Sequence, residues 1–447
     1  MFGIGRHGRR DAMFRYHPDL LAAPVPRYTS YPTAAQFGED VGAADMAQRL
    51  DAMPADARLS LYVHIPYCHD ICWYCGCNTG AATRPRRLSA YVDALEREMA
   101  LVSARLGGRG RVTHVAFGGG SPNSLPLIDW VRLNHQLLLC FDASAAAMAV
   151  ELDPRRIDRA WIDAMAKVGV TRVNLGVQTF ATHVQQRIGR VQPAETVAMA
   201  VGALARARIQ VGFDLMYGLP GQSEADLAQT LEDSIRLSPS RIALFGYAHM
   251  PRLLPRQRRI DATELPGVEQ RFAMAKLGHA MLTAAGYQAI GFDHFALPDD
   301  PLAVAAATGR LRRNFQGFTE DDSDALIGMG ASAISQFPDL IVQNEKNAGA
   351  YREALSDHRL PAARGVRRSA DDQRRGALIE RLLCDGRAAC GDLAEPALLD
   401  RFERIGLLRR EGDELMLQPG AAPYARSIAA CFDAYLRPAE TRFSVAV

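Results

Sequence analysis

The sequence predicts an α/β protein built on a parallel sheet that curves into a partial or full barrel. Two observations carry that expectation. Short apolar runs alternate with amphipathic stretches from residue 59 to residue 247, and four cysteines fall within ten residues directly after the first run. The strand candidates are residues 59–65, 112–117, 147–152, 172–177, 211–216 and 242–247. Between them, residues 90–106, 157–168, 194–207 and 224–237 repeat apolar side chains at i, i+3 and i+4, the spacing of a helix with one buried face. Successive β/α units call for parallel strands joined by right-handed crossovers. Ligand-bearing loops then gather at the carboxyl ends of the strands, and the cysteine loop follows the first strand.

The flanks read differently. The first fifty residues lack the alternation, and residues 24–33 read as an extended arm. Beyond about residue 360 come Arg/Asp-rich helical sequence and, over residues 406–417, a helix end and a hairpin. The expected division is therefore 1–50 as extension and arm, 51–360 as the barrel, and 361–447 as a small C-terminal domain. The cluster from Arg6 to Arg10 is expected to be disordered.

Composition narrows the class. A chain of 447 residues exceeds the ~150 of one ordinary domain. Hydrophobic content of 48% with 23% charge is ordinary for a soluble globular protein, and no run of about 18 apolar residues is present. The N-terminus carries Arg6, Arg9, Arg10 and Arg15 without an apolar segment, unlike a secretory signal, so the cytoplasm is expected. A net charge of +2 provides no field for nucleic acid or membrane. Arginine supplies nearly all the positive charge, and residues 252–259 and 364–368 read as solvated faces or loops, with anion binding as the alternative reading. Nothing demands more than a monomer.

The loop Cys68-x3-Cys72-x2-Cys75, with Cys77 two residues on, is the most informative segment. Three thiolates so close in sequence can hold three irons of a [4Fe-4S] cube and leave the fourth open to a small molecule. Structural zinc, the competing reading, draws ligand pairs from two separated turns, and no second Cys pair or His-x3-His follows at the usual distance. A disulfide framework fits poorly, because Cys140, Cys384, Cys390 and Cys431 show no pattern and read as small core residues. After the second strand, Gly118-Gly119-Gly120-Ser121-Pro122 can bring backbone amides close to a ligand. Glu151, Gln178 and Asp214 lie in or at the ends of the third, fourth and fifth strands. There a polar group needs a partner, either a ligand or a neighbouring loop.

The cysteine loop and glycine turn resemble the radical S-adenosylmethionine superfamily, in which the open iron chelates S-adenosylmethionine and the reduced cluster cleaves it to a 5'-deoxyadenosyl radical. The fourth cysteine, the arm 26–34 and the segments 247–251, 293–296 and 313–317 resemble the oxygen-independent coproporphyrinogen III oxidase family. That match runs from about residue 24 to a helix expected at residues 431–436. The resemblance implies a (β/α)6 partial TIM-type barrel with an N-terminal arm and a small, mostly helical C-terminal domain. It implies oxidative decarboxylation of two propionates of coproporphyrinogen III to vinyls, giving protoporphyrinogen IX. It also implies one [4Fe-4S] cluster on Cys68, Cys72 and Cys75, and two S-adenosylmethionine molecules. Tyr62, Gly119, Glu151 and Ile334 would contact the first, and Tyr74, Gly120, Ser121, Gln178, Arg190, Asp214 and Ala248 the second. Catalytic roles would fall to Cys77, Tyr62 and Glu151, and electrons would come from a flavodoxin or ferredoxin. Ser121 replaces the family's usual Thr, Phe117 a Trp and Met216 an Ile. A substrate with four propionates needs cations, and Arg27 in the arm is a candidate for carboxylate pairing. Two rivals share the cysteine triplet: a haem chaperone, which typically lacks the fourth cysteine and the arm, and a radical methyltransferase acting on haem.

Overall fold

The structure, a computed structural model, describes residues 14–21 and 23–436, so the basic cluster from Arg6 to Arg10 lies outside the described residues. Six strands follow one another as expected: β1 Arg58–Ile65, β2 Arg111–Gly119, β3 Ala147–Leu152, β4 Arg172–Gln178, β5 Gln210–Tyr217 and β6 Arg241–Gly246. Each is parallel to the next, which makes an arc of consecutive β/α units. Tyr247 falls just outside the last strand.

The sheet then extends on both flanks with strands that sequence periodicity did not reveal. They are β7 Gln288–Ile290, β8 His294–Ala296, β9 Ala325–Met329, β10 Ile334–Phe337, β11 Leu340–Asn344 and β12 Ala362–Arg367. The twelve strands run in the order β12-β11-β10-β9-β1-β2-β3-β4-β5-β6-β8-β7. β9 is parallel to β1, and the other added pairings are antiparallel. The main sheet therefore carries past residue 361, where the C-terminal part was expected to begin. These added strands have only three to six residues, too few to show a period.

Local chemistry sets the helix bounds. The first helix of the arc spans Pro85–Leu106, starting five residues before the apolar period becomes visible. Pro85 sits in its first turn, where a missing N–H costs nothing, and Gly107 closes it in the left-handed region at φ 56°. Arg159–Lys167 starts later than expected because the Asp158 side chain caps the Trp161 amide. Glu224–Leu237 matches its expected bounds through a Ser223–Asp226 capping box.

The N-terminal fifty residues contain a helix, Ala43–Asp51, as well as an arm. The arm is tied to the other end of the chain: the Tyr28 hydroxyl donates to Asp433 at 3.0 Å and the Ala434 amide donates to the Tyr31 hydroxyl at 2.9 Å. The C-terminal part holds helices Ala370–Asp385 and Pro396–Arg404 and the expected hairpin Leu408–Glu411/Glu414–Leu417, which Arg387–Ala389 joins as a third strand. The last helical turns are Ala425–Ala429 and Ala430–Phe432, earlier than the helix expected at residues 431–436.

Candidate cluster and cofactor site

β1 is buried along nearly all its length and delivers the chain to the cysteine loop at Pro66. Tyr67–Cys68 pairs in parallel with Gly80–Ala81, and the Gly80 amide donates to the Pro66 carbonyl at 2.8 Å, so the loop is closed at its base. Cys68, Cys72, Cys75 and Cys77 line one cavity with Tyr74. The walls come from the carboxyl ends of the next strands: Gly119 at the end of β2 with Gly120 and Ser121 beyond it, Glu151 in β3, Gln178 at the end of β4 and Asp214 in β5, with Arg190 from the connection between β4 and β5. Most of the residues singled out from the sequence thus meet at one place.

The sulfurs act on one another. The Cys77 thiol pairs with Cys75, which is drawn down to about 6 by that hydrogen bond, while Cys77 is pushed well up. Burial and then the neighbouring Cys75 and Cys72 push Cys68 up to about 12. Crowded thiols that oppose each other's ionisation are a donor set that iron charge relieves. Among the described residues no three His, Cys, Asp or Glu side chains converge as the ligands of one ion would. Three thiols at the Cys68-x3-Cys72-x2-Cys75 spacing that line one cavity are a donor set a [4Fe-4S] cluster can use.

Arg190 is buried against this donor set. It donates to the Cys72 sulfur at 3.2 Å and to the Gly176 carbonyl at 2.6 Å, and pairs with Asp153 at 3.5 Å. Gly176 leaves it room, since a Cβ there would lie 3.1 Å from the guanidinium. Gln178 sits in the left-handed region at φ 66°, beside a register shift between β4 and β5, a strained placement that turns its side chain at the site.

The glycine run is required by close approach. A Cβ on Gly120 would lie 2.3 Å from the Tyr67 carbonyl, and one on Gly118 2.5 Å from the Glu151 carboxylate. Glu151 accepts the Gly119 amide at 3.2 Å, yet burial raises its carboxyl above the ordinary range. Burial and the Glu151 charge raise Asp214 to about 7. The Ser121 hydroxyl is already engaged, accepting the Asp153 amide at 2.8 Å and donating to Asn123.

Tyr62, Ile334 and Ala248 do not line the cysteine cavity. Tyr62 lies in β1 in a small apolar cluster with Ala116, Leu326 and Ala333, its ring edge-on to Phe315. Its hydroxyl meets His64 Nδ1 at 3.1 Å, and burial and then the nearby Glu151 raise the phenol. Ile334 opens β10, and its backbone would meet any Cβ placed on Gly328. Ala248 reaches the loop through Gln257, whose amide donates to the Tyr74 carbonyl at 2.8 Å and the Ala248 carbonyl at 3.1 Å.

That last contact adds to the reading of residues 252–259 as a solvated face or loop: Arg252, Leu253, Pro255, Arg258 and Arg259 are exposed, but the stretch also reaches inward. Gln257 is buried, Arg256 donates to Thr79 Oγ1 at 2.8 Å, and Arg259 lies over the Trp73 ring at 4.7 Å, so the stretch clamps the cysteine loop. A lone Gln among arginines was the only trace of this role in the sequence. Residues 364–368 are mixed: Arg367 is exposed and pairs with Asp45, while Arg364 donates to the Phe37 carbonyl. His64 was hidden within an apolar strand; it is buried, and burial lowers it to about 4.

An arc of parallel strands with a cysteine loop after the first and a glycine turn after the second defines a radical S-adenosylmethionine protein. Residues 62–234 match the family model of the Radical SAM superfamily, whose members use a [4Fe-4S] cluster and S-adenosylmethionine. An oxygen-independent coproporphyrinogen III oxidase of Bradyrhizobium diazoefficiens is 41% identical over 98% of this chain and 100% of its own. One from Escherichia coli K12 is 36% identical over 92% of this chain and 93% of its own. The solved coproporphyrinogen III oxidase of Escherichia coli, described as a radical SAM enzyme, superposes with a TM-score of 0.89 at 34% identity, covering 95% of this chain and 100% of that one. The chain belongs to the oxygen-independent coproporphyrinogen III oxidase family.

Proposed function

We propose that the chain oxidatively decarboxylates two propionates of coproporphyrinogen III to vinyls, giving protoporphyrinogen IX without oxygen. The observation that carries this reading is the single cavity in which the thiols, the glycine turn, Glu151 and Asp214 meet, in a chain of this family over nearly its whole length. Cys68, Cys72 and Cys75 would hold one [4Fe-4S] cluster. Tyr62, Gly119, Glu151 and Ile334 are proposed to contact a first S-adenosylmethionine, and Tyr74, Gly120, Ser121, Gln178, Arg190, Asp214 and Ala248 a second; Ser121 would use its backbone and remaining lone pair. When bound, these groups supply the carbon radical that removes a hydrogen from an unactivated propionate carbon, a step beyond acid-base chemistry.

The protein's own work is positioning and exclusion of water. Arg190 holds positive charge at the Cys72 sulfur. Gln257 and Arg256 lock the loop from outside. The neutral His64 fixes the Tyr62 hydroxyl. Cys77, a thiol beside the cluster ligands, is proposed to act in the reaction: Cys77→Ser should keep the cluster absorbance and lose product, and full activity would remove it from that role. A flavodoxin or ferredoxin is the proposed electron donor, and the enzyme is read as a cytoplasmic monomer. No helix among the described residues is long and apolar enough to cross a membrane.

The test is an anaerobic assay of reconstituted protein with S-adenosylmethionine, a low-potential reductant and coproporphyrinogen III, followed by mass. Stepwise loss of two carboxyl groups is expected. Cofactor cleavage with the tetrapyrrole unchanged would point instead to a haem chaperone or a methyltransferase.

A further inference from the structure

Where the substrate's carboxylates sit is a separate question, and the answer rests on the coproporphyrinogen reading. A second cavity, away from the cysteine loop, is lined by Arg27, Arg271 and Arg426 together with Phe245, Asp293 and His294. The three guanidiniums come from distant parts of the chain: the arm, helix Val268–Ala284 and the turn Ala425–Ala429. Such convergence of like charge needs a reason, because burial and then the Arg27 charge hold Arg426 down to about 10.

Two of the three find backbone acceptors where a carboxylate could sit. Arg27 donates to the Gly246 carbonyl at 3.1 Å and Arg271 to the Tyr247 carbonyl at 2.7 Å, both backbone acceptors. The buried Nε of Arg271 has no hydrogen-bond partner among the described residues. Asp293, the one carboxylate the described residues place in the lining, is engaged by His294 at 2.6 Å and spreads its charge over Arg313 and Arg27 as well, one anion among several cations. Arg313, buried between Phe292 at 4.8 Å and Phe318 at 4.3 Å, donates twice to the Arg27 carbonyl, at 3.2 and 3.0 Å, and so fixes the arm where Arg27 meets the cavity.

The cavity also adjoins the site of chemistry. Phe245 and His294 line the barrel bore as well, and Glu151 and Asp214 line both the bore and the cysteine-loop cavity. Three spaces thus share walls in series, with thiols at one end and guanidiniums at the other.

We propose that Arg27, Arg271 and Arg426 form a docking site for a propionate carboxylate of the substrate, so that the macrocycle extends from this cavity through the bore toward the cysteine loop. A planar carboxylate suits paired guanidinium donors, and the Phe245 and Phe292 rings suit the apolar rim of a tetrapyrrole.

The test compares coproporphyrin III, the stable oxidised tetracarboxylate, with its uncharged tetra-amide. Both are titrated by fluorescence into reconstituted wild type, Arg27→Gln, Arg271→Gln and Arg271→Lys, with cluster absorbance and melting temperature as checks on folding. Each Gln variant should weaken coproporphyrin III binding about tenfold or more, Arg271→Lys should restore part of it, and the tetra-amide should bind all four proteins alike. Gln variants that bind the tetracarboxylate as wild type does would overturn the docking site. So would an equal loss for acid and amide, which would mark a packing role. A wild type that fails to decarboxylate coproporphyrinogen would refute the proposed function whatever the titrations show. Turnover by a wild type whose Gln variants bind normally would refute the docking site alone.

Discussion

The two ends of the barrel strands handle charge in opposite ways. At the amino ends, Arg172 opens β4 and Arg241 opens β6, and the two share Asp300 and Glu320. Arg241 meets Asp300 at 2.5 Å and Glu320 at 3.0 Å, and Arg172 meets them at 3.4 and 3.7 Å. At the carboxyl ends, Glu151 has the Gly119 amide for a partner and Asp214 feels the Glu151 charge. Charge matched by charge makes a floor. Two carboxylates set against each other, beside the Arg190–Asp153 pair in a cavity walled by thiols, mark a space built for a ligand.

The largest way to break this contrast is at the thiols. Cys72→Ala should abolish cluster binding and turnover together, read as loss of the brown absorbance and of methionine formation, with the melting temperature of cluster-free protein almost unchanged. The opposite should hold at the floor. Asp300→Ala leaves the buried Arg172 and the half-buried Arg241 with Glu320 as their remaining carboxylate and uncaps the Leu302 amide, so it should cost about 3 kcal/mol of stability in denaturant titrations. The chemistry itself should persist in whatever fraction stays folded.

Legibility follows the same divide. The six-strand arc and the cysteine loop could be read because long periodic runs and tight ligand spacing are local signals. Glu151, Gln178 and Asp214 stood out as polar residues in or ending apolar strands, and all three line the cysteine cavity. The floor could not be read, since Arg172, Arg241, Asp300 and Glu320 are spread over nearly 150 positions and look like ordinary surface charge. The Gln257 clamp was masked by its arginine-rich setting, and β9 to β12 by their shortness. The arm was visible as a motif, but its pairing with Asp433 and Ala434 is a contact across the whole chain that no local pattern encodes.

Glu98 sharpens the comparison as an intermediate case, a buried carboxylate with partners but no cation among the described residues. It accepts the Gly330 amide at 2.7 Å, the Tyr351 hydroxyl at 2.5 Å and the Asn344 amide at 2.7 Å. Through the Gly330 turn and Tyr91, which donates to the His64 carbonyl at 2.8 Å, it supports the strand carrying Tyr62. Burial outweighs its three donors and raises it from 4.5 to about 7. The folded state therefore holds the proton more tightly, and the stability this group contributes is full below pH 4.5 and lost as pH rises to about 7. Glu98→Gln cannot titrate, so wild-type stability relative to the variant should fall by about 3 kcal/mol across that window, measured by urea unfolding. Parallel curves for the two proteins would contradict it.

The smallest effect tests the carboxyl end directly. Asp214 is raised to about 7 by burial and by Glu151, so cluster-free protein loses stability as pH climbs from 3.8 toward that value. Asp214→Asn removes the charge and keeps the shape. Because the carboxylate borders a cavity open to water, screening reduces the gain, and the variant should be more stable than wild type by about 1 kcal/mol at pH 8 and indistinguishable at pH 4. A residue whose replacement stabilises the empty protein is held there for something other than folding, and turnover of the reconstituted variant should fall accordingly. If Asp214→Asn instead destabilised the cluster-free protein as Asp300→Ala does, the two ends of the barrel would be alike, and the Glu151 and Asp214 carboxylates would lose their standing as a mark of the site.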